Sequence, residues 1–147
     1  MGWFCSWKRL FRPSRSRFAY LLLAAVAFAV SESGRFIARP YVRRHGINDF
    51  GLTDCIGNLG GILVMIFLGC ASYNANAKQS YRLAAFFSVG FVVYEFLQPI
   101  LPKGTFDWLD VYGTAIGYSL SLLVITVLWR VVPDPEDTQG TRSDGVE

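Results

Sequence analysis

An all-α polytopic membrane bundle of four transmembrane helices is the fold class this sequence predicts, and three observations predict it. Four apolar runs recur along 147 residues, 52% of the residues are hydrophobic, and charge is largely segregated to the chain ends and the connections between runs. A bilayer with about 30 Å of hydrocarbon requires about 20 mostly apolar residues per helical crossing. The chain divides accordingly into a basic segment at 1–17, a transmembrane domain at 18–132, and an acidic tail at 133–147 whose polar composition predicts disorder.

The first run holds only 13 residues, Phe18 to Val30, and spans only if its helix continues through Glu32 and Arg35 towards Ile37. Its basic-then-apolar start also fits a signal peptide, with "AFA" before Val30 as a cleavage site. "MGWFCS" fits the myristoylation pattern, with Cys5 placed for acylation. The second run, "CIGNLGGILVMIFLGCASY", is long enough outright, as is the fourth, "VYGTAIGYSLSLLVITVLW". The third, "LAAFFSVGFVVYEFLQPIL", reaches length only by including Glu95 and Gln98. Cys55 and Cys70, 15 residues apart on one predicted helix, stand about 22 Å apart at 1.5 Å per residue. They cannot bridge each other, and they read as small apolar residues.

Two stretches match as D-x-x-G-[NT]-x-x-G: "DCIGNLGG" from Asp54 and "DVYGTAIG" from Asp110, 56 residues apart. Each follows a run that ends in a glutamate, Glu32 or Glu95, so the four helices are readable as two repeated hairpins related by an axis along the membrane normal. Each copy also contains a G-x-x-x-G pair, Gly57 with Gly61 and Gly113 with Gly117. Such pairs let backbones approach closely where lipid provides no hydrophobic drive, and these four glycines are the expected packing seam.

Basic residues near the run ends set orientation. With the N-terminus cytoplasmic, nine lie inside and five outside, the five being Arg35, Arg39, Arg43, Arg44 and Lys103. Both termini are therefore expected in the cytoplasm. The four arginines of the first connection oppose the rule, which points to another use for them. Without the acidic tail, residues 1–133 carry 13 basic and 6 acidic groups. That balance favours anionic lipid over nucleic acid, for which no soluble basic domain with stacking aromatics is present.

On this topology Glu32, Arg35, Arg39, Asp54, Glu95, Gln98, Asp107 and Asp110 gather near the outer membrane face as candidate ligand-binding residues. Glu95, Gln98 and Pro102 form one helical stripe; Asp110, Thr114, Gly117 and Ser121 form another, which Asp54, Asn58 and Gly61 repeat. Asp54 and Asp110 are alternatively helix N-caps, with Glu32 and Glu95 as interfacial partners of arginines. Glu95 and Gln98 lie inside a span, where an unpaired carboxylate is costly. Glu95 is expected to pair with an arginine of the first hairpin, Arg35 ahead of Arg39, on the floor of a pocket capped by Arg43 and Arg44. His45 reads as a solvated loop residue.

"EFLQPILPKGTFDWLDVYGTAIG" resembles the signature of the VanZ-like membrane proteins: E-x-x-Q, then Pro and Arg, then Asp, an Asn four residues later, and Gly. Glu95, Gln98, Pro102, Asp107, Asp110 and Gly117 match; Gly104 stands in the arginine's place and Thr114 in the asparagine's. The resemblance implies a small multi-span cell-envelope protein, some relatives of which lower sensitivity to lipoglycopeptides such as teicoplanin.

The residues thus predict a non-catalytic membrane protein with an outward polar pocket for an anionic lipid headgroup or cell-wall precursor, homo-oligomerisation being left open. The alternatives are a membrane-embedded enzyme acting on a lipid phosphate, with Glu95 or Asp110 as general base, and a small proton-coupled transporter using Glu95. No nucleophile–histidine motif or His/Cys metal spacing occurs, so no catalytic residue, metal or cofactor is expected.

Overall fold

The computed structural model describes residues 14–101 and 104–132. The acylation pattern around Cys5, Pro102, Lys103 and the acidic tail lie outside the described residues. The chain forms α1 (Arg15–Ser33), a π turn (Gly34–Ala38), α2 (Arg39–Arg44), α3 (Leu52–Ser72), α4 (Ala77–Leu97), a 3-10 turn (Gln98–Ile100) and α5 (Trp108–Val131). Among the described residues, four helical rods are long and apolar enough to cross a membrane: Arg15–Arg44, Leu52–Ser72, Ala77–Ile100 and Trp108–Val131. This is the all-α four-helix architecture that the apolar runs predict.

The first rod is unbroken, so the 13-residue apolar stretch does extend through Glu32 and Arg35. Its 30 residues would measure about 45 Å at 1.5 Å per residue, against about 30 Å of hydrocarbon. The rod is therefore longer than the hydrocarbon alone requires. Ser14 caps the start by accepting the Arg17 N–H at 3.1 Å. An Asn76/Gln79 capping box opens α4. At its far end Pro99 has no N–H to continue the ladder, and the helix tightens to a 3-10 turn.

α3 is the central helix and packs against α1, α4 and α5. Close backbone approach rests on glycine at particular places. A Cβ on Gly117 would stand 2.3 Å from Ile62 Cγ2 and 2.9 Å from the Leu59 carbonyl, and one on Gly113 would stand 2.8 Å from the Cys55 carbonyl. Both belong to the expected seam. Gly57 does not: it is exposed, and a Cβ there meets nothing within 4 Å. Gly61 meets only Phe91, at 3.6 Å, an ordinary contact. On α3 the close approach is made instead at Gly60, where a Cβ would lie 2.2 Å from Ser31 Oγ of α1. The two repeat copies share a sequence pattern but not an environment, because α3 is flanked on several sides and α5 on fewer.

The buried face of α1 reads Tyr20, Ala24 and Ser31, and then Gly34 against Ile56. Regular α-helical steps of three or four would next bring Ala38 and Val42 to that face. The π turn inserts one residue and rotates the next part of the rod by about 100°; beyond it Arg39, half-buried like Ala38 and Val42, and the exposed Arg43 both reach Asp54 of α3.

At the amino-terminal end, Trp129 Nε1 donates to Tyr20 Oη at 2.9 Å, Tyr20 Oη donates to Ser80 Oγ at 2.8 Å, and Ser80 Oγ donates to the Asn76 carbonyl at 2.9 Å. Tyr20 is fully buried, stacked 6.3 Å from Phe67. This chain satisfies the polar ends of two aromatic side chains inside an apolar bundle. Sequence reasoning does not anticipate it, although a tyrosine and a tryptophan on apolar helices signal that partners are needed.

Candidate functional site

The polar residues at the opposite end fall into two groups. The first is built where the overlong first rod meets the start of α3. Gly51, in the left-handed conformation at φ +80°, turns the chain into α3, and Asp49 secures that turn. Asp49 accepts the Thr53 N–H at 2.8 Å, the Thr53 hydroxyl at 2.6 Å and the Gly51 N–H at 3.2 Å. The Thr53 hydroxyl, followed by its N–H, holds the Asp49 carboxyl below the ordinary carboxylate range. Asp54 is thereby left free of capping duty. It is the third residue of α3, and its Oδ1 receives Nη2 of Arg39 at 2.7 Å and Nη2 of Arg43 at 3.2 Å.

Two guanidiniums thus converge on one carboxylate oxygen, each through a single nitrogen. A guanidinium carries five N–H donors in a planar fork suited to two-point recognition of carboxylate or phosphate. Arg39 Nε is buried and has no hydrogen-bond partner among the described residues. The side chains are only half-covered, Arg39 and Asp54 at 38% exposure and Arg43 at 64%. Arg35 and Arg44 are exposed nearby on the same rod, together with Phe36, Ile37 and Tyr41. His45 closes the rod, its ring 4.2 Å from that of Tyr41.

The second group surrounds Glu95, which is only 2% exposed. Its Oε1 accepts Asn58 Nδ2 of α3 at 3.2 Å, and its Oε2 accepts Gln98 Nε2 at 2.6 Å. The expected Glu95–Arg35 pair does not form. Arg35 lies within the π turn and is placed over the ring of its neighbour Phe36, 5.7 Å from the centroid, while two side-chain amides take the place assigned to it. Glu32 is half-buried and makes no ion pair with Arg35.

α5 stands between the groups. Asp107, not Asp110, is its N-cap and accepts the Leu109 N–H at 2.9 Å. Asp110 occupies the third helical position, as Asp54 does in α3, so neither is the cap that the alternative sequence reading made of it. It lies within electrostatic reach of Asp107, Arg39 and Asp54, and Glu95 within reach of Asp110. Thr114, fully buried, returns its hydroxyl to the Asp110 carbonyl at 2.9 Å. Gly104, where the VanZ-like pattern has arginine, packs so that a Cβ would stand 2.0 Å from the Gln98 carbonyl oxygen. A side chain there would require another path for this turn.

The pairing of Asn58 with Glu95 and that of Asp54 with Arg39 and Arg43 are what sequence reasoning missed. Asn58 was visible as an amide in an apolar run, but only the packing of α3 on α4 shows what it serves. Among the described residues no group of three or more His, Cys, Asp or Glu side chains is placed to hold a metal ion. Comparison with protein-family models, with curated proteins and with solved structures finds no match, so the VanZ-like resemblance stands on the matching residues between Glu95 and Gly117.

Proposed function

We propose that this chain is a non-catalytic, multi-pass protein of the cell envelope whose arginine rim holds an anionic lipid headgroup or a lipid-linked cell-wall precursor. The observation that carries this reading is the pair Arg39 and Arg43. Each gives a single nitrogen, Nη2, to Asp54, and a guanidinium has further N–H donors with which to meet a phosphate. Exposed Phe36, Ile37 and Tyr41 on the same rod suit the acyl boundary beside such a headgroup. The resemblance to VanZ-like proteins supports an envelope role and, through it, a link to lipoglycopeptide sensitivity.

Binding is the direct test. Native mass spectrometry of the detergent-solubilised protein should show tighter retention of phosphatidylglycerol than of phosphatidylcholine. Arg39→Ala/Arg43→Ala should weaken the phosphatidylglycerol complex by about tenfold or more, at about 1 kcal/mol per interfacial arginine. Equal retention of both lipids by the unaltered protein would sink the reading.

The orientation belongs to the same proposal, since an envelope ligand is met on the outer face. Reporter fusions after residues 45, 77, 104 and 140 are expected to read outside, inside, outside, inside. An inverted order would place the arginine rim in the cytoplasm and exclude a ligand on the outer face.

A further inference from the structure

We propose that Asp54 is a built-in competitor for the lipid phosphate: its carboxylate occupies the Arg39–Arg43 fork when no headgroup is bound and leaves when one is. The inference rests on the arginine rim being an anion site and adds how that site is regulated.

Three features of the geometry carry it. Both guanidiniums meet at the same oxygen, Asp54 Oδ1. A carboxylate with that placement stands where one phosphate oxygen would sit between two arginines. The contact is also only partly shielded, at 38% exposure for Arg39 and Asp54 and 64% for Arg43, and it uses one nitrogen per guanidinium. An exposed ion pair of this kind contributes little to stability and exchanges readily. Finally, Asp54 is not needed to cap α3, because Asp49 already accepts the Thr53 and Gly51 N–H groups at its start.

Both arginines follow the π turn on the first rod and reach α3 at Asp54. The occupant of choice is a lipid phosphodiester, given Phe36, Ile37 and Tyr41 exposed along the same rod.

The test is titration of the full-length protein in detergent with phosphatidylglycerol, phosphatidylcholine and soluble glycerol 3-phosphate, followed by native mass spectrometry. If the carboxylate holds the fork most of the time, its removal should raise the apparent affinity for phosphatidylglycerol by about five- to tenfold. Asp54→Asn and Asp54→Ser should both do this, the second being a residue at home in the first turn of a helix. Phosphatidylcholine should be unaffected. A gain confined to phosphatidylglycerol assigns the site to a lipid headgroup; an equal gain for glycerol 3-phosphate supports competition but moves the ligand to free phosphate esters. Unchanged or weaker phosphatidylglycerol binding in both variants overturns the proposal, and Asp54 is then an orienting partner of the arginines. If the unaltered protein does not distinguish phosphatidylglycerol from phosphatidylcholine, the rim itself is not an anion site and the competition falls with it.

Discussion

Glu95→Ala should unfold in detergent with a loss of about 3 kcal/mol or more, whereas Glu95→Gln should stay within about 1 kcal/mol of the unaltered protein. Alanine empties a site that is 2% exposed and strands two amide donors, Asn58 Nδ2 and Gln98 Nε2, that have the carboxylate as acceptor. Glutamine keeps the volume. Its carbonyl can accept from one amide, and its own N–H can donate to the carbonyl of the other once that amide rotates. Thermal unfolding followed by size-exclusion chromatography in detergent would separate the two. Equal losses in both variants would mean that the amides are not what holds Glu95. A double-mutant cycle sharpens the contrast: Glu95 and Asn58 should couple, while Glu95 and Arg35 should add.

Gly117→Leu is the second substitution with a large expected effect, again about 3 kcal/mol or more. Its Cβ would already overlap Ile62 and press on the Leu59 backbone carbonyl, so α5 must withdraw from α3 along the whole contact. In hydrocarbon, helices associate through close packing because lipid is as apolar as leucine, so that separation has no offsetting gain. Gly57→Leu is the control. Nothing lies within 4 Å of its Cβ, and a surface-type change of about 0.5 kcal/mol or less is expected. Similar melting temperatures for the two variants would show that the glycines of α5 are not a packing seam.

The four spans were legible because hydrocarbon thickness imposes a length that composition must meet, and even the short first run was forced to continue through Glu32 and Arg35. The seam was half legible. A G-x-x-x-G pattern names a face of small residues, but only the arrangement of neighbours decides whether that face meets a helix or lipid. Gly113 and Gly117 meet α3, whereas Gly57 faces away and Gly60, outside the pattern, meets Ser31.

The partner of Glu95 was misread for a different reason. Sequence reasoning matches charge with opposite charge, and it carries helical phase forward at 3.6 residues per turn. The π turn breaks that phase just where the arginines begin. Arg39 and Arg43 swing onto Asp54, Arg35 goes to the ring of Phe36, and the buried carboxylate is left to amides. No residue in "GRFIA" announces an inserted position.

The hydrogen-bonded chain at the amino-terminal end also orders events during synthesis. Tyr20 leaves the ribosome with the first helix, yet its acceptor Ser80 emerges 60 residues later and its donor Trp129 emerges 109 residues later. The first helix therefore enters the bilayer with a polar group that no local partner can serve, and it acquires partners only as successive helices dock. The last of them, Trp129, lies two residues before the end of α5. Closure of this chain thus marks the moment at which every helix has arrived, and a nascent chain halted short of α5 differs from a finished one in that Tyr20 Oη donates to Ser80 but receives nothing from Trp129.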